Sequence, residues 1–90
     1  MTANIVLGTA KQTVTLVSVN RNQNFGLTLN LTAPLAPDLV VGTGYELDIF
    51  DDTGVQIETE TGWVYQSKSY TLVENAGIVS TQNYQLIFGR

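Results

Sequence analysis

FGLTLNLT, residues 25–32, places Phe25, Leu27, Leu29 and Leu31 at every second position, with glycine, threonine or asparagine between them. Side chains of an extended chain alternate between two faces, so this stretch reads as a strand with one face in a core and one in water. Immediately upstream, QTVTLVSV, residues 12–19, is also extended and rich in β-branched residues. Its apolar set changes face between Leu16 and Val17, which requires either a bulge there or partial cover on both faces. Residues 20–24, Asn-Arg-Asn-Gln-Asn, tolerate unusual backbone angles, so a turn and a hairpin are expected.

Outward from this hairpin the pattern continues. Residues 33–38 carry Pro34 and Pro37, which break any sheet ladder. The segment formally matches a PxxP ligand but reads more simply as a crossover between strands. Further strands are expected over residues 39–41, 45–50, 55–60, 63–73 and 78–88, the last in one or two pieces. Glycine-containing turns punctuate them. No stretch carries a helical apolar stripe. Residues 1–90 thus predict one all-β domain of seven or eight short antiparallel strands: a sandwich, a jelly roll or a small barrel.

Composition narrows the function. The chain has neither Cys nor His, which removes thiolate and imidazole metal sites, disulfides and Ser-His-Asp chemistry. Net charge is −4, and the four basic residues, Lys11, Arg21, Lys68 and Arg90, are spread along the chain rather than clustered for nucleic acid. No charged leader and no apolar run long enough to cross a bilayer is visible, so a soluble protein is expected, with neither nucleic acid nor membrane as partner. Charged residues are 13% of the chain, against about 25% in a typical soluble domain. Charges guard strand edges, so a chain with so few suits a subunit that neighbours cover.

Six of the eight acids fall between Glu46 and Glu60. Within this stretch Asp52-Thr53-Gly54 resembles the active-site triplet of retroviral-type aspartic proteases, and LIFGR, residues 86–90, resembles their C-terminal Gly-Arg segment. The spacing departs from that family: Asp52 lies past the midpoint, with too little chain after it for a flap, and an acid precedes it. A dyad sharing one proton also needs a dry site. Residues 51–54 read instead as a type I turn with Gly54 left-handed in a bulge. That turn predicts Ile49 opposite Ile57, Leu47 opposite Thr59, Asp48 opposite Glu58 and Glu46 opposite Glu60. Glu46, Asp48, Glu58 and Glu60 then share one exposed face, either simply solvated or meeting Lys and Arg of a partner.

Trp63, Val64 and Tyr65 put large apolar surface on both sides of one strand. With Tyr70 they offer either a sugar-stacking platform, as in a carbohydrate-binding or adhesin-like module, or a combination of core and interface residues. The second fits their spread over several strands better. Trp63 and Tyr65 therefore join the four acids as candidate partner-binding residues. Asn30-Leu31-Thr32 forms a glycosylation sequon, unsupported by any leader.

The threonine- and asparagine-rich strands QTVTLVSVN and FGLTLNLT, the missing Cys and His, and the ending YQLIFGR make the chain similar in texture to small structural proteins of tailed-phage virions, especially head decoration or cement proteins. The resemblance implies a non-enzymatic role: bridging neighbouring capsid subunits on the phage head surface, as a dimer or trimer, with the acidic hairpin facing a basic patch of the capsid protein. A tail or connector component would share the composition. No cofactor is implied, and the acid spacing misses the Asp-x-Asp-x-Asp-Gly calcium loop. Millimolar calcium is accordingly expected to leave the melting temperature unchanged, whereas a rise would mark a bound ion.

Overall fold

A computed structural model of the chain describes residues 1–22 and 26–90. Six strands occur among the described residues: β1 (Thr2–Leu7), β2 (Ala10–Asn22), β3 (Gly26–Leu31), β4 (Gly44–Phe50), β5 (Gln56–Asn75) and β6 (Ile78–Gly89). About 74% of the described residues are strand and none of them is helix, so among them no helix is long and apolar enough to cross a membrane. All pairings are antiparallel, and the sheet closes in the order β1-β2-β3-β6-β5-β4.

The strand count differs from the expected seven or eight for three reasons. Residues 39–41 are loop, residues 55–60 and 63–73 belong largely to a single strand, and Thr2–Leu7 adds a strand that the sequence pattern did not single out. The strands form one sheet, not the two facing sheets of a sandwich or jelly roll. The β2–β3 hairpin forms as expected, with Asn22 opposite Gly26. Gln23, Asn24 and Phe25 of its expected turn and strand lie outside the described residues.

Alternation fills the interior. Leu27, Leu29 and Leu31 of β3 point inward at 1%, 0% and 5% exposure, facing Phe88, Leu86 and Tyr84 of β6. Tyr45, Leu47 and Ile49 of β4 enter from the opposite wall beside Ala3 and Ile5 of β1. No polar or charged residue is buried among the described residues. The change of face in β2 is a bulge: Leu16 pairs with Leu31 and Ser18 with Asn30, which leaves Val17 unopposed and turned to solvent. Past the bulge, Val19 and Arg21 pair with the inward Leu29 and Leu27, so Arg21 sits on the lumen side of its strand.

β5 runs for twenty residues because two different neighbours use it. Its first part pairs with β4 and its second with β6, the change falling just after Gly62, whose φ of 76° only glycine adopts freely. The β3–β4 crossover folds over one end of the barrel. Leu35 and Leu39 tuck in as buried plugs while Val40 and Val41 stay exposed. Backbone bonds from Gly42 N to Tyr65 O (2.9 Å) and Tyr65 N to Thr43 O (3.0 Å) tie it to β5, and Val40 N donates to Tyr45 Oη at 3.0 Å.

These positions predict a contrast. Leu29→Ala, in the closed interior, should lower unfolding free energy by about 2–5 kcal/mol, whereas Val17→Ala, on the bulge, should change it by less than about 0.5 kcal/mol in urea titration.

Candidate functional site: a ribbon beyond the barrel

β5 and β6 outlast their neighbours. β4 pairs with β5 only as far as Val64, and β3 pairs with β6 only from Tyr84 onward. Residues 66–83 therefore leave the barrel as a two-stranded ribbon, closed at the tip by Ala76 and Gly77 between the paired Asn75 and Ile78. Both tip residues have positive φ (54° and 82°), the signature of a type I′ hairpin loop. Ladder bonds join the ribbon strands to each other, and their outer edges have no strand neighbour. Such a ribbon is marginal in water on its own.

Two contacts hold its root. Tyr70 stacks on the buried Tyr84, with centroids 5.7 Å apart and planes 14° from parallel. Lys68 Nζ donates to both carboxylate oxygens of Asp38 at 2.8 Å, tying the ribbon to the crossover loop. Hydrogen bonding to Asp38 holds the Lys68 ammonium above its ordinary pKa. Between ribbon and crossover lies a groove of about 460 Å³, lined by Pro34, Leu35, Lys68, Tyr70, Leu72 and Tyr84 among others.

The ribbon surface is unusual for a solvated hairpin. Leu72, Ile78 and Val79 are 62%, 72% and 57% exposed, and Tyr70 is half-exposed. Lys68 and Glu74 are the only charges in residues 66–83. Apolar groups thus stand in water where their burial on a neighbour would be worth about 25 cal/mol per Å².

The expected partner-binding residues are placed differently. Phe50 pairs with Gln56 and Ile49 with Glu58, so Ile57 is bulged out and half-exposed. This one-residue difference from the expected Ile49–Ile57 register moves Glu58 and Glu60 to the other face, opposite Ile49 and Leu47. The four acids do not share a face. Glu46 and Asp48 remain outside, where the Asp48 charge raises the Glu46 pKa. Glu58 and Glu60 line a barrel mouth and pair with Arg21, at 2.6 Å for Glu60, while Arg90 approaches Glu60 at 3.7 Å.

Countercharge explains the choice. Four acids on one face repel, whereas the observed register gives two of them guanidinium partners and one an indole donor. Trp63 Nε1 donates to Glu60 Oε2 at 3.0 Å, and Arg90 lies 4.2 Å above the ring. Trp63 and Tyr65 are buried, at 0% and 3% exposure, and Tyr65 packs edge-on to Phe88 at 5.6 Å. Burial raises the Tyr65 phenol pKa. Both aromatic rings serve the core and offer no platform to a ligand.

Residues 51–54 form the expected turn. Gly54 N donates to Asp51 O at 3.2 Å and Gly54 has φ 87°. The structural carboxylate is Asp51, whose Oδ1 accepts from Thr53 N, Thr53 Oγ1 and Val55 N at 2.9, 2.7 and 3.0 Å. Asp52, the residue aligned with the protease aspartate, has a side chain 89% exposed, the opposite of a dry dyad. Among the described residues no three acids are grouped to hold a metal ion.

The sequence pattern did not single out the ribbon. Its available signals were a hairpin longer than its neighbours and a span of eighteen residues (66–83) with two charges. No protein-family model, curated protein or solved structure matches the chain.

The Asp51 hydrogen bonds favour its ionised form and lower its pKa from 3.8. With the folded value depressed, the stabilisation is complete above the unfolded pKa and is lost as pH falls through the folded one. Amide resonances of Thr53 and Val55 should therefore titrate with a midpoint below 3.8 by NMR. A midpoint at or above that value would refute the assignment.

Proposed function

We propose that this chain is a non-enzymatic assembly protein, of the phage capsid cement or decoration type, that bridges neighbouring subunits on the head surface. The observation that carries this reading is the projecting ribbon, which exposes Tyr70, Leu72, Ile78 and Val79 outside the core of its own barrel and carries two charges of opposite sign. A surface of that kind marks an interaction site. Leu72, Ile78 and Val79 contribute nothing to the barrel interior, and covering them on a neighbour adds stability that a ninety-residue core supplies only sparingly. The acidic contacts in this reading reduce to Glu46 and Asp48, since Glu58 and Glu60 are engaged by Arg21 and Arg90.

A carbohydrate-binding module is the weaker reading. Of its three aromatic residues two are buried, and Tyr70 is stacked on Tyr84.

The proposal requires a capsid protein from the same genome, and co-sedimentation with empty shells assembled from such a protein tests it. The chain should pellet with the shells and raise their melting temperature. Leu72→Asp and Val79→Asp should each weaken binding at least about tenfold, the loss expected from desolvating a charge at an interface core, with the circular dichroism of the free chain unchanged. Absence of binding by the parent chain, with no shell stabilisation, would overturn it.

A further inference from the structure

We infer that the free edge of β5 in the ribbon pairs with the same edge of a second copy of this chain, antiparallel, about a two-fold axis through Thr71. The inference rests on the assembly reading above and names one of the neighbours. It begins from edge chemistry: beyond Tyr65, whose N and O are taken by Thr43 and Gly42, the outer side of β5 has no strand beside it, and its backbone donors and acceptors can add a strand.

The side chains select which strand. β5 is regular from Ser67 to Asn75, because the irregularity at this level lies on β6, at Asn83 with φ 55°. Lys68, Tyr70, Leu72 and Glu74 therefore share one face, that of the groove. A two-fold axis at Thr71 sets Lys68 opposite Glu74 of the other copy and Tyr70 opposite its Leu72, each contact occurring twice. The ribbon's only two charges neutralise each other across the interface, and its apolar pair meets an apolar pair. Glu74 makes no ion pair within its own chain among the described residues, and Lys68, held on one side by Asp38, has a further donor to offer.

Neighbouring registers lose this match. An axis at Tyr70 places Lys68 opposite Leu72 and Glu74 opposite Gln66. An axis at Leu72 places Lys68 opposite Ala76 and Glu74 opposite Tyr70. Both strand a charge on an apolar or neutral residue. The other free edge, on β6 from Ile78 to Asn83, carries no charge to set a register and ends in the bulge. Directly opposed side chains on a ladder lie close enough for ion pairing, so the charges set alignment while Tyr70, Leu72 and the ladder bonds supply cohesion. The product is a closed, isologous dimer with a four-stranded sheet between two barrels.

The chain has no cysteine, so single thiols report the register without background. Under mild oxidation the Thr71→Cys chain should become a covalent dimer, while Val73→Cys, offset from its own symmetry mate, should remain largely unlinked. In sedimentation velocity, Glu74→Lys and Lys68→Glu should each be monomeric at concentrations where the parent chain is dimeric, and an equimolar mixture should recover the dimer. Circular dichroism verifies that each variant is folded. A parent chain that stays monomeric, equal crosslinking at positions 71 and 73, or charge variants that dimerise as well as the parent would each overturn the inference. Shell binding is scored separately. A dimer that ignores shells sinks the capsid reading alone, and shell binding by a monomer that fails to crosslink sinks the dimer alone.

Discussion

β1 is paired on both sides, and the molecule depends on that. Residues Thr2 to Leu7 lie against β2, and residues Thr2 to Val6 lie against β4. Without this short seam the sheet would be open, with edges on β2 and β4 and an apolar face uncovered. With it the barrel has no edge, and alternation places one set of side chains inside and the other in water on every strand. A six-stranded barrel is narrow, and Trp63, Phe88, Leu29 and Leu47 fill it to full burial. These side chains occupy the interior, so the parts of the fold open to a neighbour are its outer surface and whatever leaves the barrel.

What leaves it is set by strand length. β1, β3 and β4 have six or seven residues each, β2 has thirteen that β1 and β3 share between them, and β6 has twelve and β5 twenty. The surplus has nowhere to pair except with itself. The irregularities around Gln66 and Asn83 change the register where the ribbon departs, while Tyr70 on Tyr84 and Lys68 on Asp38 fix its root. The far end of β6 is built differently. There Arg90, Arg21, Glu58 and Glu60 gather over Trp63. The ends thus differ in chemistry: one closes on its own ion pairs, and the other extends apolar side chains into water.

Much of this architecture was legible locally. The leucine alternation of β3 and the turn at Asp51–Gly54 each follow from short-range rules of phase and backbone angle, and of the two readings open at Leu16–Val17, a bulge or partial cover on both faces, the structure has the bulge. Pairings between distant segments were not legible. Nothing in Thr2–Leu7 indicates that it will meet both β2 and β4, and the loop state of Leu39-Val40-Val41 depends on the barrel end that Leu39 plugs. The acidic hairpin is the instructive failure. Hydrophobic matching alone favoured Ile49 against Ile57, but Arg21 and Arg90, distant in sequence, reward the register that turns Glu58 and Glu60 toward them. Long-range countercharge outweighed one local apolar pair. Of the six residues expected at an interface, Trp63 and Tyr65 are core, Glu58 and Glu60 are internally paired, and Glu46 and Asp48 stay on the outer face.

The scarcity of charge acquires a different meaning once the barrel is seen to close. Edge guards are unnecessary where there are no edges, so few Lys or Glu residues are needed around the closed barrel, and low charge there says little about association. In the ribbon it says a great deal, because there the edges are real. An exposed edge with no charge at all would accept any strand in any register, which is the route to fibres. An edge carrying one positive and one negative charge on the same face, separated by an apolar pair, is selective: it penalises every partner that leaves either charge on a neutral or apolar residue. Its own copy, turned antiparallel, would satisfy both charges at once, and the proposed pairing with that copy would consume the edge. The edge that remains, on β6, is short and ends at the Asn83 bulge, so growth by repeated edge addition meets a kinked and abbreviated template. In the proposed dimer the two charges would set the register and so the limit, while Tyr70, Leu72 and the ladder bonds would supply the cohesion.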